Sequence, residues 1–161
     1  MTALADQIEA CVAGRSVTVV GVGNRLRGDD AAGPLVIERL APGIGTHALD
    51  AEQSPENFLV PLLERGQQVV LFVDAAELGA APGTCRVAAM DELAPRAEST
   101  HAPSLRLTAD LLAAHGIDSL LLGIQPGRTT PGEPLTPAVD AAVDAAAAAI
   151  ARVVRAEARH A

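Results

Sequence analysis

The 161-residue chain has no lysine, tryptophan or tyrosine, and Phe58 and Phe72 are its only phenylalanines. Its twelve basic residues are all arginine, they are scattered along the chain, and the net charge is −8. Nucleic acids and anionic membranes bind concentrated positive patches, so neither is expected as a partner. The scarcity of aromatic residues argues against stacking platforms for bases and predicts a core of Leu, Val, Ile and Ala.

Cysteines and long apolar runs are also scarce. Cys11 and Cys85 are the two cysteines, and neither stands in a metal-binding or redox spacing, so we expect two free, wholly or partly buried thiols and no disulfide. No run approaches the roughly 20 apolar residues of a membrane span, and the N-terminus lacks a signal-peptide core. These absences predict a cytoplasmic protein, and the length suits one domain over residues 1–161.

Strand-like and helix-like patterns alternate along the rest of the chain. Strands are predicted at 16–23, 45–49, 67–74, 84–90 and 117–124, and helices at 2–13, 31–41, 54–66, 102–115 and from 137 onward. Pro42-Gly43 is expected to end the second helix, and Ser54 to cap the third. Continuous apolar strands between helices indicate an α/β protein, a three-layer α/β/α sandwich. Its sheet of about five strands is predicted to be mostly parallel, with one antiparallel edge strand at 84–90.

Polar residues follow several of the predicted strands. In such sheets functional residues gather where the carboxyl ends of the strands meet. This places the loops 24–30 and 50–54, the strand-end Asp74 and the turn 123–126 on one edge of the sheet. His101 lies at a helix start that can face the same edge.

Each polar residue has an ordinary explanation when it is taken alone. Asp29 or Asp30 could cap a helix, although capping does not easily explain two adjacent side chains that point in different directions. Asp74 could mark the exit of a strand into solvent, and His101 could be a surface or cap residue. Together, however, Asp30, Asp74 and His101 are an oxygen and nitrogen set that suits a divalent transition metal, and not the thiolate set of structural zinc.

A glycine turn offers a rival interpretation. Gly21 and Gly23 follow the first strand as in a dinucleotide-binding turn, and Asp50 ends the second strand. The third glycine of that fingerprint should fall where Leu26 stands, and Gly28 comes two residues late. The match to a dinucleotide site is therefore partial.

The combined motifs resemble those of the nickel–iron hydrogenase maturation endopeptidases. The resemblance covers about residues 16–155 and rests on seven segments: 21–34 (GVGNRLRGDDAAGP), 54–57 (SPEN), 73–75 (VDA), 82–83 (PG), 99–101 (STH), 123–126 (GIQP) and 135–137 (LTP). It implies an endopeptidase that removes a C-terminal peptide from the nickel-loaded precursor of a hydrogenase large subunit. No serine-triad motif and no His-Glu-x-x-His helix is present, so ordinary serine or zinc protease chemistry is not supported.

The resemblance also implies roles for particular residues. Asp30, Asp74 and His101 would contact nickel, an ion that the substrate's own active site supplies, with other divalent metals as substitutes in vitro. Asp30 and Asp74 would in addition be catalytic, in a metal-directed, aspartic-type peptide hydrolysis. The expected partner is the large-subunit precursor.

Four further residues are expected to bind substrate: Asn24, Gly28, Glu52 and Gln125. The family commonly has a glycine pair after the acid of the second strand, and Ala51-Glu52 stands there instead. Ala31 likewise replaces the usual glycine after the double acid. These departures motivate a second hypothesis, a non-proteolytic nickel-binding checkpoint or chaperone for the same precursor. A dinucleotide-binding redox domain ranks third.

Overall fold

The computed structural model describes residues 2–93 and 101–159. Within these two ranges, five strands form one sheet: β1 (Val17–Gly21), β2 (Ala48–Asp50), β3 (Val69–Ala75), β4 (Cys85–Ala89) and β5 (Asp118–Ile124). Their order is β2-β1-β3-β5-β4, and every neighbouring pair is parallel except β4 with β5. The predicted mostly parallel sheet with one antiparallel edge strand is confirmed.

The described residues contain six helices: α1 (Leu4–Val12), α2 (Ala32–Ile44), α3 (Leu59–Glu64), α4 (Met90–Leu93), α5 (Ala102–Ala113) and α6 (Pro137–Ala158). Short 3-10 turns lie at Gly28–Ala31, Gly45–His47 and Pro55–Phe58. Among the described residues, no helix combines the length and apolar character of a membrane span.

Consecutive residues of the central strands face opposite sides of the sheet, which divides the core into two layers. Val19 and Leu71 pack in a cluster that includes residues of α1, α2 and α6. Val20 and Phe72 pack on the other side with residues of α3 and α5. Side chains alternate between the two faces of the sheet, and helices cover both faces, so these strands carry apolar residues on both faces. The three-layer α/β/α sandwich is thereby confirmed.

Two predicted boundaries around α2 were wrong. The helix does not end at Pro42 but continues to Ile44. Pro42 lies in the last turn, where its missing N–H costs only one helical hydrogen bond. The following strand starts at Ala48 rather than Gly45, because Gly45 adopts a positive φ of 56° that an extended strand does not allow.

One prediction on the other face also needs correction. Ser54 makes no side-chain capping bond, because a 3-10 turn at Pro55–Phe58 separates it from α3. The helix predicted at 102–115 is present as α5, with Leu105 and Leu112 facing the core and Leu107 and Leu111 exposed. The predicted Ser99-Thr100 approach to α5 lies outside the described residues.

Candidate active site

Asp30 lies in the 3-10 turn Gly28–Ala31, which follows β1 at the carboxyl edge of the sheet. The backbone N–H of Asn24 donates both to the Asp30 carbonyl (3.1 Å) and to its Oδ2 (3.0 Å). The Asn24 side-chain oxygen in turn accepts from the N–H of Leu26 at 2.9 Å. The loop therefore closes on itself and holds the Asp30 carboxylate, which is 9% exposed, at the edge of the sheet.

Asp74 and His101 arrive at the same place from two other elements. Asp74 is the penultimate residue of β3, lies in register with Gly123 of β5, and is buried. His101 immediately precedes α5, and its carbonyl accepts the first helical bond from Leu105 at 2.9 Å. The strand end and the helix start thus direct two buried polar side chains towards Asp30.

The three side chains form one compact group. His101 Nδ1 lies 3.3 Å from Asp74 Oδ1, and His101 Nε2 lies 3.9 Å from Asp30 Oδ2. One ligand atom from each residue lies within 4.8 Å of the others. Two carboxylates and an imidazole are hard and borderline donors, so the set fits a divalent transition metal. The sequence-predicted trio is therefore brought together.

The pKa of His101 is raised above its ordinary value. Its hydrogen bond with Asp74 is the main cause and outweighs burial, which acts in the opposite direction. The charges of Asp74 and Asp30 add to the increase, and the cation of Arg27 opposes it. A neutral imidazole that donates from Nδ1 to Asp74 keeps its lone pair on Nε2, which faces Asp30.

Asp29, next to Asp30, has a different role. Its fully buried carboxylate accepts bonds from the N–H groups of Gly127 (2.7 Å), Arg128 (2.9 Å) and Thr136 (2.7 Å), and from the Thr136 hydroxyl (2.8 Å). Burial alone would raise the pKa of Asp29, but these four bonds together lower it. Asp29 thus ties the site turn to the segment 127–136.

Neither acid of the pair caps a helix, so the capping interpretation is wrong for both. Sequence reasoning also missed the anchoring role of Asp29. Its partners lie 98 to 107 residues further along the chain. No local pattern connects such distant segments, and nothing in the sequence distinguishes Asp29 from Asp30 as the anchor.

The expected substrate-binding residues occupy varied surroundings. Asn24 is half-buried and shapes the loop around Asp30. Gly28 has φ +52°, and a Cβ there would lie 2.5 Å from the carbonyl oxygen of Arg128. Both are shaping residues of the site turn, and direct contact with substrate stays a prediction for each.

Gln125 and Glu52 lie near the same edge of the sheet. The buried amide of Gln125 accepts from the N–H of Leu78 (2.6 Å) and donates to Glu77 Oε1 (3.0 Å). Gln125 therefore holds the segment after β3. Glu52 is exposed, has φ +52°, and its carbonyl accepts from the N–H of Gly23 at 2.7 Å. Substrate binding by either side chain stays a prediction.

Other parts of the chain occupy the space beside the glycines of the turn after β1. A Cβ at Gly21 would lie 2.5 Å from Ile37 Cγ1, and one at Gly23 would overlap the carbonyl of Asp30. A Cβ at Gly33, in α2, would overlap the carbonyls of Val22 and Val73. These glycines let α2 and the site turn approach the strands. Because protein atoms occupy the space beside these glycines, the structure does not favour the dinucleotide interpretation.

Taken together, the fold and the site define an α/β protein with a buried acid–acid–histidine group at the carboxyl edge of its sheet. Comparison with known proteins identifies the family. The family model HycI, described as hydrogenase maturation protease, matches residues 36–153, more than half of the chain. That span includes Asp74 and His101, while Asp30 lies just before it.

Individual relatives agree with the family match. The hydrogenase 3 maturation protease of Escherichia coli K12 is 34% identical over 126 residues, which cover 76% of this chain and 81% of the relative. The crystal structure of a [NiFe] hydrogenase maturation protease HycI from Thermococcus kodakarensis superimposes with a TM-score of 0.82 at 31% identity, covering 92% of this chain and 98% of that one. The chain belongs to the hydrogenase maturation protease family, and its activity class is endopeptidase.

Proposed function

We propose that this protein removes a C-terminal peptide from the nickel-loaded precursor of a nickel–iron hydrogenase large subunit, in the cytoplasm. The observation that carries the proposal is the convergence of Asp30, Asp74 and His101, whose ligand atoms lie within 4.8 Å of one another at the carboxyl edge of the sheet. The names of the relatives, which are hydrogenase maturation proteases, support the choice of precursor.

The nickel ion is part of the substrate in this proposal. It reaches the site already held by the precursor, and the two carboxylates and the imidazole recognise it by adding oxygen and nitrogen ligands. Bound there, nickel would polarise the peptide carbonyl. Other divalent ions would compete for the same three residues in vitro.

The chain's own residues orient the reaction and move its protons. Asp74 fixes the imidazole of His101 through Nδ1, so that Nε2 stays directed towards Asp30. Asp30 and Asp74 supply the carboxylates, one of which accepts the proton of the attacking water. The carboxylic acid formed in that step can then return the proton to the leaving amine, so the proton balance is closed by the two acids.

The test measures the intact mass of a large-subunit precursor after incubation with the protein, with and without nickel loading. Loss of one discrete C-terminal peptide only with nickel present is expected. Asp30→Asn, Asp74→Asn and His101→Ala are each expected to lower kcat by at least about a hundredfold, since each removes a proton carrier or a ligand. Circular dichroism and thermal unfolding check that the variants fold.

Two residues of α5 and its C-terminal end serve as matched controls for these variants. Asp110 and His115 are exposed, so Asp110→Asn and His115→Ala should process the precursor at the wild-type rate. Full processing by Asp30→Asn and Asp74→Asn would contradict the proposal. An unchanged precursor mass together with a stable nickel-dependent complex would instead favour the checkpoint hypothesis.

A further inference from the structure

An exposed leucine stands beside the active site. The Leu26 side chain is 76% exposed, more than the other large hydrophobic side chains recorded as exposed among the described residues, namely Val60, Leu107 and Leu111. Leu26 precedes Asp30 by only four residues, in the loop that closes around the Asp30 carboxylate. The exposed side chain therefore belongs to the same loop as one of the three site residues.

The backbone of this loop is held in place on both sides. The N–H of Leu26 donates to the Asn24 side chain at 2.9 Å, and its carbonyl accepts from the N–H of Gly132 at 2.8 Å. Two residues on, the N–H of Gly28 donates to the carbonyl of Glu133 at 3.1 Å. The leucine side chain is therefore presented outward from a fixed backbone, which limits the entropy lost when it binds a partner.

Single exposed leucines are ordinary on protein surfaces, but this one stands between two arginines, Arg25 and Arg27. Arg25 is occupied by ion pairs with Glu38 (2.7 Å) and Asp50 (2.9 Å). Arg27 is exposed, and within the ranges 2–93 and 101–159 no ion pair of 4 Å or less is recorded for it. The surface next to the site thus offers an apolar side chain beside a positive charge.

We infer that Leu26 is a specificity-determining residue that docks in an apolar pocket on the folded body of the precursor. Arg27 then lies against an acidic group at the rim of that pocket. The reacting peptide goes to the buried trio, whereas Leu26 points to solvent, so its partner surface lies outside the segment that is cut. This inference rests on the proposed function, because it names the part of the same substrate that the enzyme recognises.

The test compares Leu26→Ser with Leu107→Ser, a control leucine on α5 that is 54% exposed. Precursor affinity is measured by biolayer interferometry, and KM and kcat by the mass assay. Leu26→Ser should raise Kd and KM at least about tenfold and leave kcat within about twofold, because docking by a remote contact adds equally to ground-state and transition-state binding. Leu26→Met should restore most of the affinity, and Leu107→Ser should match the wild type.

Arg27→Gln should raise KM about threefold and weaken its dependence on salt, as expected for a charge at the rim of an interface. Wild-type Kd and KM in Leu26→Ser would overturn the inference, as would a loss confined to kcat. If the wild-type protein binds the precursor and cuts nothing, the proposed function fails. The affinities of Leu26→Ser and Leu107→Ser then still decide whether Leu26 docks the precursor.

Discussion

The loops that follow β1 and β2 each contain a residue with the same positive φ, a glycine in the first loop and a glutamate in the second. Gly28 in the first loop and Glu52 in the second both have φ +52°. At Gly28 a Cβ would lie 2.5 Å from the Arg128 carbonyl oxygen, so a side chain is excluded by space as well as by conformation. Glu52 is exposed, and its side chain carries only the conformational cost of a left-handed residue.

The two loops therefore differ in the substitutions that they accept. The loop after β1 is the fixed half of the site edge, and the loop after β2 is the tolerant half. The first loop is bonded to the segment 127–136 through Asp29 and through the backbone of Gly28 and Leu26. In the second loop the N–H of Glu52 donates locally to Asp50, and the Glu52 carbonyl accepts from the N–H of Gly23 in the first loop, so the Glu52 side chain itself is not needed for either bond. Departures from the family pattern at Ala51-Glu52 therefore fall where the structure accepts a side chain.

The largest expected effect in the fixed half comes from Asp29→Asn. Asparagine could keep its oxygen on the donors of Gly127, Arg128 and the Thr136 hydroxyl, but its NH2 would then face the backbone N–H of Thr136, and the charge that strengthens all four bonds would be lost. We expect a loss of about 3 kcal/mol or more in the free energy of unfolding, measured by urea denaturation. Asp30→Asn is the matched comparison and should change stability by less than about 1 kcal/mol while it abolishes processing. Equal stability of the two variants would contradict the division of roles.

The same substitution should change the acid stability of the protein. The folded pKa of Asp29 lies below its unfolded value of about 3.9, so the unfolded state binds more protons as the pH falls. The stabilisation from the ionised carboxylate is thus complete above about pH 5 and is lost as the pH falls from about 4 through the lowered pKa. The stability gap between wild type and Asp29→Asn should therefore narrow below about pH 4. A gap independent of pH would show that the charge of Asp29 is unimportant.

Gly28→Ala is expected to have the next largest effect. The new Cβ would meet the Arg128 carbonyl, so one loop must shift, and the positive φ adds its own cost. Together these predict a loss of about 2–3 kcal/mol and slower processing, because Asp30 moves with the turn. Gly14→Ala is a clean control, since Gly14 has φ +73° with no atom within 4 Å of the added Cβ. That variant should lose only about 1 kcal/mol in the same denaturation experiment.

Much of the fold could be predicted from local patterns, and the errors have local causes. The apolar runs of β1, β3 and β5 identified strands because both of their faces are buried. Patterns of hydrophobicity do not encode single backbone angles, so the 3-10 turn at Gly45–His47 was taken as strand and Ser54 as a helix cap.

The site was predictable to the extent that its residues belong to recognisable motifs. Asp30, Asp74 and His101 could be grouped because strand ends and helix starts meet at one edge of a parallel sheet. The anchor role of Asp29 could not be predicted, since its partners are backbone N–H groups about 100 residues away. Every residue except proline has a backbone N–H group, so the residue types in a sequence do not show which of these groups will bind a given carboxylate.

The smallest expected effect belongs to the tolerant half, and it is a gain in stability. Glu52→Gly relieves a left-handed conformation that costs about 1–2 kcal/mol, while the extra freedom of glycine in the unfolded chain removes part of that benefit. A net gain of about 0.5–1 kcal/mol should raise the melting temperature by about 1–3 °C. Glu52→Ala keeps the strained angle and should leave stability nearly unchanged, so it isolates the carboxylate. A higher KM in both variants would assign the Glu52 carboxylate to substrate binding, whereas unchanged kinetics would limit this loop to shaping the edge of the site.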